Sequence, residues 1–263
     1  MSTQTNEKYE YIVRRRNFHR EDFEIEGRLY LPVSGKGPYP AVLIGHGFGA
    51  SMLAVANYAQ NLAEHGIAAC IIDFCGGGAF CESDGSPYDM SALTEAEDMK
   101  AVAEELRLDS HIDRNSFFLM GQSMGGLAAA LAAADIPDMI RGLILLYPAF
   151  VIPDDMKRLK KRLGSTPEKT SIMGVPVGKK FIDEAVKLKV FDKISAYTGP
   201  VLIFHGTKDS LVPLSYSKQA DEVFKSSQLV VIEGADHGFS ERQNLPVYDE
   251  IVRFIRKNET KSS

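Results

Sequence analysis

Three residues whose types can do acyl-transfer chemistry stand in the order Ser123, Asp209, His237, each soon after an apolar run. A serine hydroxyl is a poor nucleophile at neutral pH. It needs a base to take its proton, and the base needs an acid to hold its tautomer. Ser123 sits in "FFLMGQSMGGLAAALAAAD" (117–135), where an apolar run breaks at "GQSMGG" and a small-residue helix pattern follows. Gly121, Ser123 and Gly125 fit G-x-S-x-G between an expected strand and an expected helix. In that setting a sharp turn strains the serine backbone, and the flanking glycines let neighbouring backbones pass. The hydroxyl then stands at a helix N-terminus, where the dipole favours developing negative charge. A helix-capping serine in a glycine-rich turn would give the same short stretch. A phosphate loop would not, because no Gly-Lys-Ser/Thr follows and no G-x-G-x-x-G is present.

Of six histidines, only His205 and His237 follow Ser123. His19, His65 and His111 read as surface or structural residues, and His46 as a residue that fixes its own loop. Asp209, in "HGTKDSLVP", precedes His237, in "GADHGF", by 28 residues, enough for one helix and one strand. That order makes Ser123 the nucleophile, Asp209 the acid and His237 the base. Asp236 is a rival acid, but it adjoins His237 and is poorly placed to reach its own neighbour's ring. A tetrahedral intermediate also needs two donors for its oxyanion. The backbone N–H groups of Met124 and Phe48, the latter in "HGFGAS" (46–51), are the candidates. The scattered histidines lack any H-x-H-x-D-H or H-E-x-x-H pairing, so neither metal nor cofactor is expected.

These residues need a scaffold that brings separate loops to one edge. Short apolar runs recur at 41–47, 67–74, 116–121, 142–148, 200–206 and 229–235, as expected of strands buried on both faces of a parallel sheet. Helix-like segments lie between them at 52–65, 91–108, 124–134, 213–225 and 246–257. Strand–helix alternation predicts an α/β fold with an open, mostly parallel sheet of about eight strands. Two β-rich stretches at 9–16 and 22–32 would add an antiparallel edge. The segment 149–196 breaks the rhythm, with eleven Lys and Arg against six Asp and Glu. "DDMKRLKKRLG" (154–164) and "KKFIDEAVKLKV" (179–190) read as short helices of a cap or lid insertion. Its charge reads either as a solvated face or as a lid attracting acidic substrates.

The chain has 263 residues, 44% hydrophobic and 25% charged, with net charge −5. A single domain spanning 1–263 is expected from that length. The acidic balance argues against nucleic acid as a partner. No run is long enough to span a membrane. The polar, then basic "MSTQTNEKYEYIVRRR" lacks an apolar signal core, which reads as cytoplasmic. Cys70, Cys75 and Cys81 read as free thiols. The sequence leaves monomer and homodimer both open.

"GHGFGAS", "DFCGGGAFCESDG", "GQSMGG", "HGTKDSLVP" and "EGADHGF" together resemble the α/β-hydrolase superfamily over essentially the whole chain. Within it, the chain is most similar to small bacterial feruloyl or cinnamoyl esterases. It is also similar to acylaminoacyl-peptidase-like and monoacylglycerol-lipase-like hydrolases. The resemblance implies a Ser123–Asp209–His237 triad with Phe48 and Met124 as oxyanion donors. It implies a serine carboxylesterase acting on a small-molecule ester, a hydroxycinnamoyl ester among the choices. In those esterases an aspartate and a tyrosine of the insertion hold the phenolic hydroxyl. Asp155 matches the aspartate by position, and Phe181 stands where the tyrosine would be.

Overall fold

The computed structural model describes residues 8–260, Ala79 excepted. The chain runs β1 (Tyr11–Arg20), β2 (Phe23–Pro32), β3 (Tyr39–Gly45), α1 (Ala56–Glu64), β4 (Ala68–Ile72), α2 (Ala92–Leu106), β5 (Ile112–Gln122) and α3 (Met124–Asp135). It continues through β6 (Gly142–Leu146), α4 (Ile152–Leu163), β7 (Lys169–Ile172), β8 (Val175–Gly178), α5 (Lys179–Lys187) and α6 (Val190–Ile194). It closes with β9 (Val201–Gly206), α7 (Leu214–Val223), β10 (Ser227–Ile232) and α8 (Glu241–Asn258).

Eight strands form one sheet in the order β1-β2-β4-β3-β5-β6-β9-β10. From β4 to β10 every pairing is parallel, and β1 and β2 add the antiparallel edge. This is the α/β-hydrolase fold expected from the sequence. The apolar runs are continuous because the inner strands are covered on both sides. Along β3, Val42 and Ile44 face a core built with α1 and α8, while Ala41 and Leu43 face one built with α2 and α3. The same alternation separates Phe118 and Met120 from Phe117 and Leu119 on β5. The alanine-rich α3 is buried along nearly all its length, because small side chains let it lie close to both the sheet and α2.

Several element bounds shift by a few residues, and two differences from the sequence expectation have a plain cause. The last helix opens at Glu241 rather than Pro246, since the Gln243 side chain accepts the Ser240 N–H (3.0 Å) and caps an earlier start. The insertion holds a β-hairpin, β7–β8, besides its helices. Its tight turn puts Met173 and Gly174 at φ +51° and +82°, the left-handed pair that matches strand twist. Helix α4 carries Asp154 and Asp155 in its first turn and basic residues in its last, and Gly164 in the left-handed region ends it. Among the described residues, no helix is long and apolar enough to cross a membrane.

Candidate active site

All the sequence-selected loops leave carboxyl ends of parallel strands, the edge where open α/β sheets bind ligands. Ser123 follows β5, the 46–51 loop follows β3, Asp209 follows β9 and His237 follows β10. Ser123 occupies φ +53°, ψ −120°, a strained conformation for a non-glycine residue. The flanking glycines are required by contact. A Cβ on Gly121 would lie 2.1 Å from the Gly125 carbonyl oxygen, and one on Gly125 would lie 2.2 Å from that of His46. Ser123 N–H donates to the Leu146 carbonyl (2.9 Å), which ties the turn to β6.

The Ser123 hydroxyl lies 2.9 Å from His237 Nε2, and His237 Nδ1 lies 2.8 Å from Asp209 Oδ2. Nδ1–H donating to the carboxylate leaves the Nε2 lone pair to accept the serine proton. The Asp209 side chain is fully buried, whereas His237 is slightly exposed. Asp209 Oδ1 accepts the Leu211 and Val212 N–H groups (3.0 and 2.7 Å), and Oδ2 also faces His205 Nε2 at 3.3 Å. Burial works to raise this carboxyl's pKa. Hydrogen bonds from His205, His237 and Val212 outweigh it, and the group is held well below the usual carboxylate range. The rival Asp236 turns away from the imidazole. Its Oδ1 accepts from Ser210 N and Oγ and from its neighbour's backbone N–H, which ties the His237 loop to the Asp209 loop.

Phe48 and Met124 line the cavity together with Ser123, and no acceptor among the described residues takes either backbone N–H. Met124 opens α3, so its amide has no partner within the helix. The 46–51 loop passes close by: a Cβ on Gly47 would lie 3.3 Å from Ser123 Cβ. His46 braces it from below. Its Nδ1–H donates to the Gly47 carbonyl (2.8 Å) and its Nε2 accepts the Phe74 N–H (3.3 Å). Burial lowers the His46 pKa and favours the neutral ring that this pairing needs. Asp73 accepts the Met52 and Glu82 N–H groups (2.6 and 2.9 Å), which ties the 73–85 loop to Met52, just past the 46–51 loop. His46, Asp73 and Cys81 have metal-ligand atoms within 4.8 Å of one another. Each already serves the loop, since the Cys81 thiol donates to the Ala50 carbonyl (3.3 Å). All three cysteines are free thiols.

A cavity of about 350 Å3 opens at Ser123, between the sheet edge and the insertion. Asp155 and Phe181 both line it, with Phe181 packed on Phe48 at a ring separation of 5.5 Å. Two contributors escape a reading of the sequence. Tyr147, just after β6, has φ +39° and sets its ring edge-on to His237 at 4.8 Å. Its hydroxyl donates to Gln122 Oε1 (3.1 Å). His205, recognisable only as a His-Gly pair after a strand, underpins Asp209.

The comparisons agree with this architecture. The family model for serine aminopeptidase, S33, matches residues 36–180, and that for TAP-like protein matches residues 184–263. Among solved structures, Est1E from Butyrivibrio proteoclasticus with bound ferulic acid aligns with a TM-score of 0.83 at 26% identity, over 92% of this chain and 98% of that one. Mouse alpha/beta hydrolase domain-containing protein 10 shares the fold, with a TM-score of 0.74 at 20% identity over 93% of this chain and 99% of that one. Among curated proteins, the mitochondrial palmitoyl-protein thioesterase ABHD10 of Homo sapiens is 27% identical over 229 residues, 80% of this chain and 71% of that protein. With the first family model spanning more than half its length, the chain belongs to the serine aminopeptidase S33 family of the α/β-hydrolase superfamily.

Proposed function

We propose that the protein hydrolyses carboxylic esters of small molecules through an acyl-enzyme on Ser123, with water as the final acceptor. The observation that carries this reading is the unbroken chain of contacts from the Ser123 hydroxyl through His237 to buried Asp209, beside two uncommitted amides. His237 Nε2 removes the hydroxyl proton as Ser123 Oγ attacks the carbonyl carbon. Asp209 stabilises the resulting imidazolium and holds its orientation. The Phe48 and Met124 amides take the oxyanion. As the intermediate collapses, His237 returns the proton to the leaving alcohol. Water, activated by the same histidine, then releases the acid. No step calls for a cofactor.

A thioester fits the same sequence with a thiol as leaving group, and the human relative is named a thioesterase. The hydroxycinnamoyl reading draws on Asp155 in the cavity wall and on ferulic acid bound to Est1E. Peptidase or monoacylglycerol-lipase activity would share the whole relay. A panel of aryl esters, glycerides, thioesters and acyl-amino-acid amides separates these. The mechanism itself is tested by Ser123→Ala, which abolishes hydrolysis of p-nitrophenyl butyrate while the circular dichroism spectrum is unchanged. Undiminished turnover in that variant overturns it.

A further inference from the structure

The acyl group itself is addressed by the cavity's chemistry, given the ester-hydrolase reading above. Apart from Asp155 and the Phe181 ring, the walls contributed by the insertion and the 211–212 loop are aliphatic or thioether, Ile152, Met156, Ile172, Met173, Leu211 and Val212 among them. Methionine is unbranched and adapts its shape to what it touches. The mouth is apolar too. Met173, at the hairpin tip, is 72% exposed and Leu211 is 46% exposed, and both line the cavity. The hairpin is held over the oxyanion loop, because Val175 fills the space beside Gly49, where a Cβ would lie 2.4 Å from Val175 Cγ2.

Polar recognition in this cavity is sparse. Asp155 is the only charged side chain that the insertion contributes to it. Its side chain is 43% exposed and already paired with Arg158. Its neighbour Asp154 is held by Lys157 and by the Tyr216 hydroxyl (2.9 Å). Deeper in, Gln122 Oε1 already takes the Tyr147 hydroxyl. Phe181 offers no hydrogen bond, and its ring is packed on Phe48. On the insertion side of this pocket a phenolic hydroxyl would exchange water for the half-solvated Asp155 carboxylate, one oxygen of which is already paired with Arg158. That exchange favours the apolar ligand, since a buried polar group without a good partner is costly.

We infer that the cavity selects flexible saturated acyl chains of roughly six to ten carbons over hydroxycinnamoyl groups, with the upper bound set by ~30 Å3 per chain atom, a water molecule's share of liquid volume. The 350 Å3 of space admits about that many atoms. A longer chain would project past Met173 into water and gain nothing further. Each added methylene that fits raises kcat/KM about three- to fourfold, since its burial is realised in the transition state as well as on binding.

The experiment uses the intact protein with p-nitrophenyl acetate, butyrate, octanoate and palmitate, and separately with methyl octanoate against methyl ferulate. The expected result is a rise in kcat/KM from acetate to octanoate of at least about 100-fold, a fall at palmitate, and methyl octanoate at least about tenfold above methyl ferulate. Preference for acetate, or methyl ferulate equal to methyl octanoate, overturns the inference while leaving the ester-hydrolase reading intact. Calorimetry of octanoate and ferulate binding to Ser123→Ala tests the pocket without turnover. Tighter octanoate binding sustains the pocket assignment even if no ester is cleaved, and tighter ferulate binding defeats it. Two variants probe the wall. Met156→Phe shortens the preferred chain towards butyrate. Met173→Ser, at an exposed tip where folding is not at risk, lowers the octanoate-to-acetate ratio several-fold. An unaltered ratio in a folded Met173→Ser protein also counts against the inference.

Discussion

His205 lies beneath Asp209, with its Nε2 3.3 Å from the same carboxylate oxygen that faces His237 Nδ1. The His205 ring is fixed from both sides. Ser217 Oγ sits 2.7 Å from Nδ1, and the Val212 carbonyl lies 2.8 Å from Nε2. Nε2–H therefore donates to Val212 and, at longer range, to Asp209, while Nδ1 accepts the serine proton. The acid of the proposed relay is thus held by a second histidine as well as by two backbone amides. Every one of these donors favours its ionised form.

Asp209→Asn tests that arrangement. The asparagine amide would face His237 Nδ1 as a donor or a neutral acceptor, and the imidazole would lose its fixed tautomer. We expect kcat for p-nitrophenyl butyrate to fall by about 10^3 to 10^4 while KM changes little. The stability effect has a definite sign. The folded carboxyl titrates below its unfolded value, so its contribution is present above the ordinary carboxylate pKa and is lost as pH falls through the folded one. Between pH 7 and pH 3 the variant's melting temperature should therefore decline less steeply than the wild type's. Parallel melting curves of the two proteins over that range would argue against a depressed Asp209 pKa.

Gly125→Ala tests whether the Ser123 turn depends on backbone contact. The added methyl would sit 2.2 Å from the His46 carbonyl oxygen, and the atoms it meets are backbone on a buried strand end. Neither side can give way cheaply. A loss of about 1–3 kcal/mol is expected from overpacking. For a chain of this size that corresponds to a melting temperature lower by several degrees, about 2–4 °C per kcal/mol. Displacement of the 46–51 loop should cut kcat further than the stability loss explains. Differential scanning calorimetry with kinetics well below the melting point separates the two effects.

The parts that were legible in the sequence are those where one local signal maps to one structural need. Continuous apolar runs marked the two-sided burial of the central strands, and the order Ser123, Asp209, His237 placed three loops at one sheet edge. The parts that were not legible depend on partners distant in the chain. The four-residue strands Lys169–Ile172 and Val175–Gly178 carry mixed burial and pair only with each other, so no strong alternation announces them. The helix-like segment 246–257 omits the first turn of the last helix, whose earlier start is set by the Gln243 side chain. His205 and Tyr147 acquire their places through Asp209 and His237, which neither could show alone. Asp155 lines the cavity, and its pairing with Arg158 became visible only once α4 was formed.

Glu95 supplies a prediction about stability away from the Ser123 cavity. It lies on α2, fully buried, and neither carboxyl oxygen has a hydrogen-bond partner among the described residues. Burial, reinforced by nearby Asp98, pushes its pKa well above the ordinary carboxylate value. The folded protein therefore keeps a proton that the unfolded chain releases above about pH 4.3. Unfolding becomes progressively easier as pH rises from there towards the folded pKa, by about 1.4 kcal/mol per pH unit. Glu95→Gln removes the ionisation at nearly constant shape, and Glu95→Met removes the polar atoms as well. Glu95→Gln should match the wild type near pH 4.5 and melt at higher temperature than it does at pH 8, and Glu95→Met should melt above both at either pH because it leaves no unpaired polar atom. Thermal melts of the three proteins at both pH values check this. A wild type whose advantage over the variants grows with pH would mean that Glu95 is ionised and paired in solution.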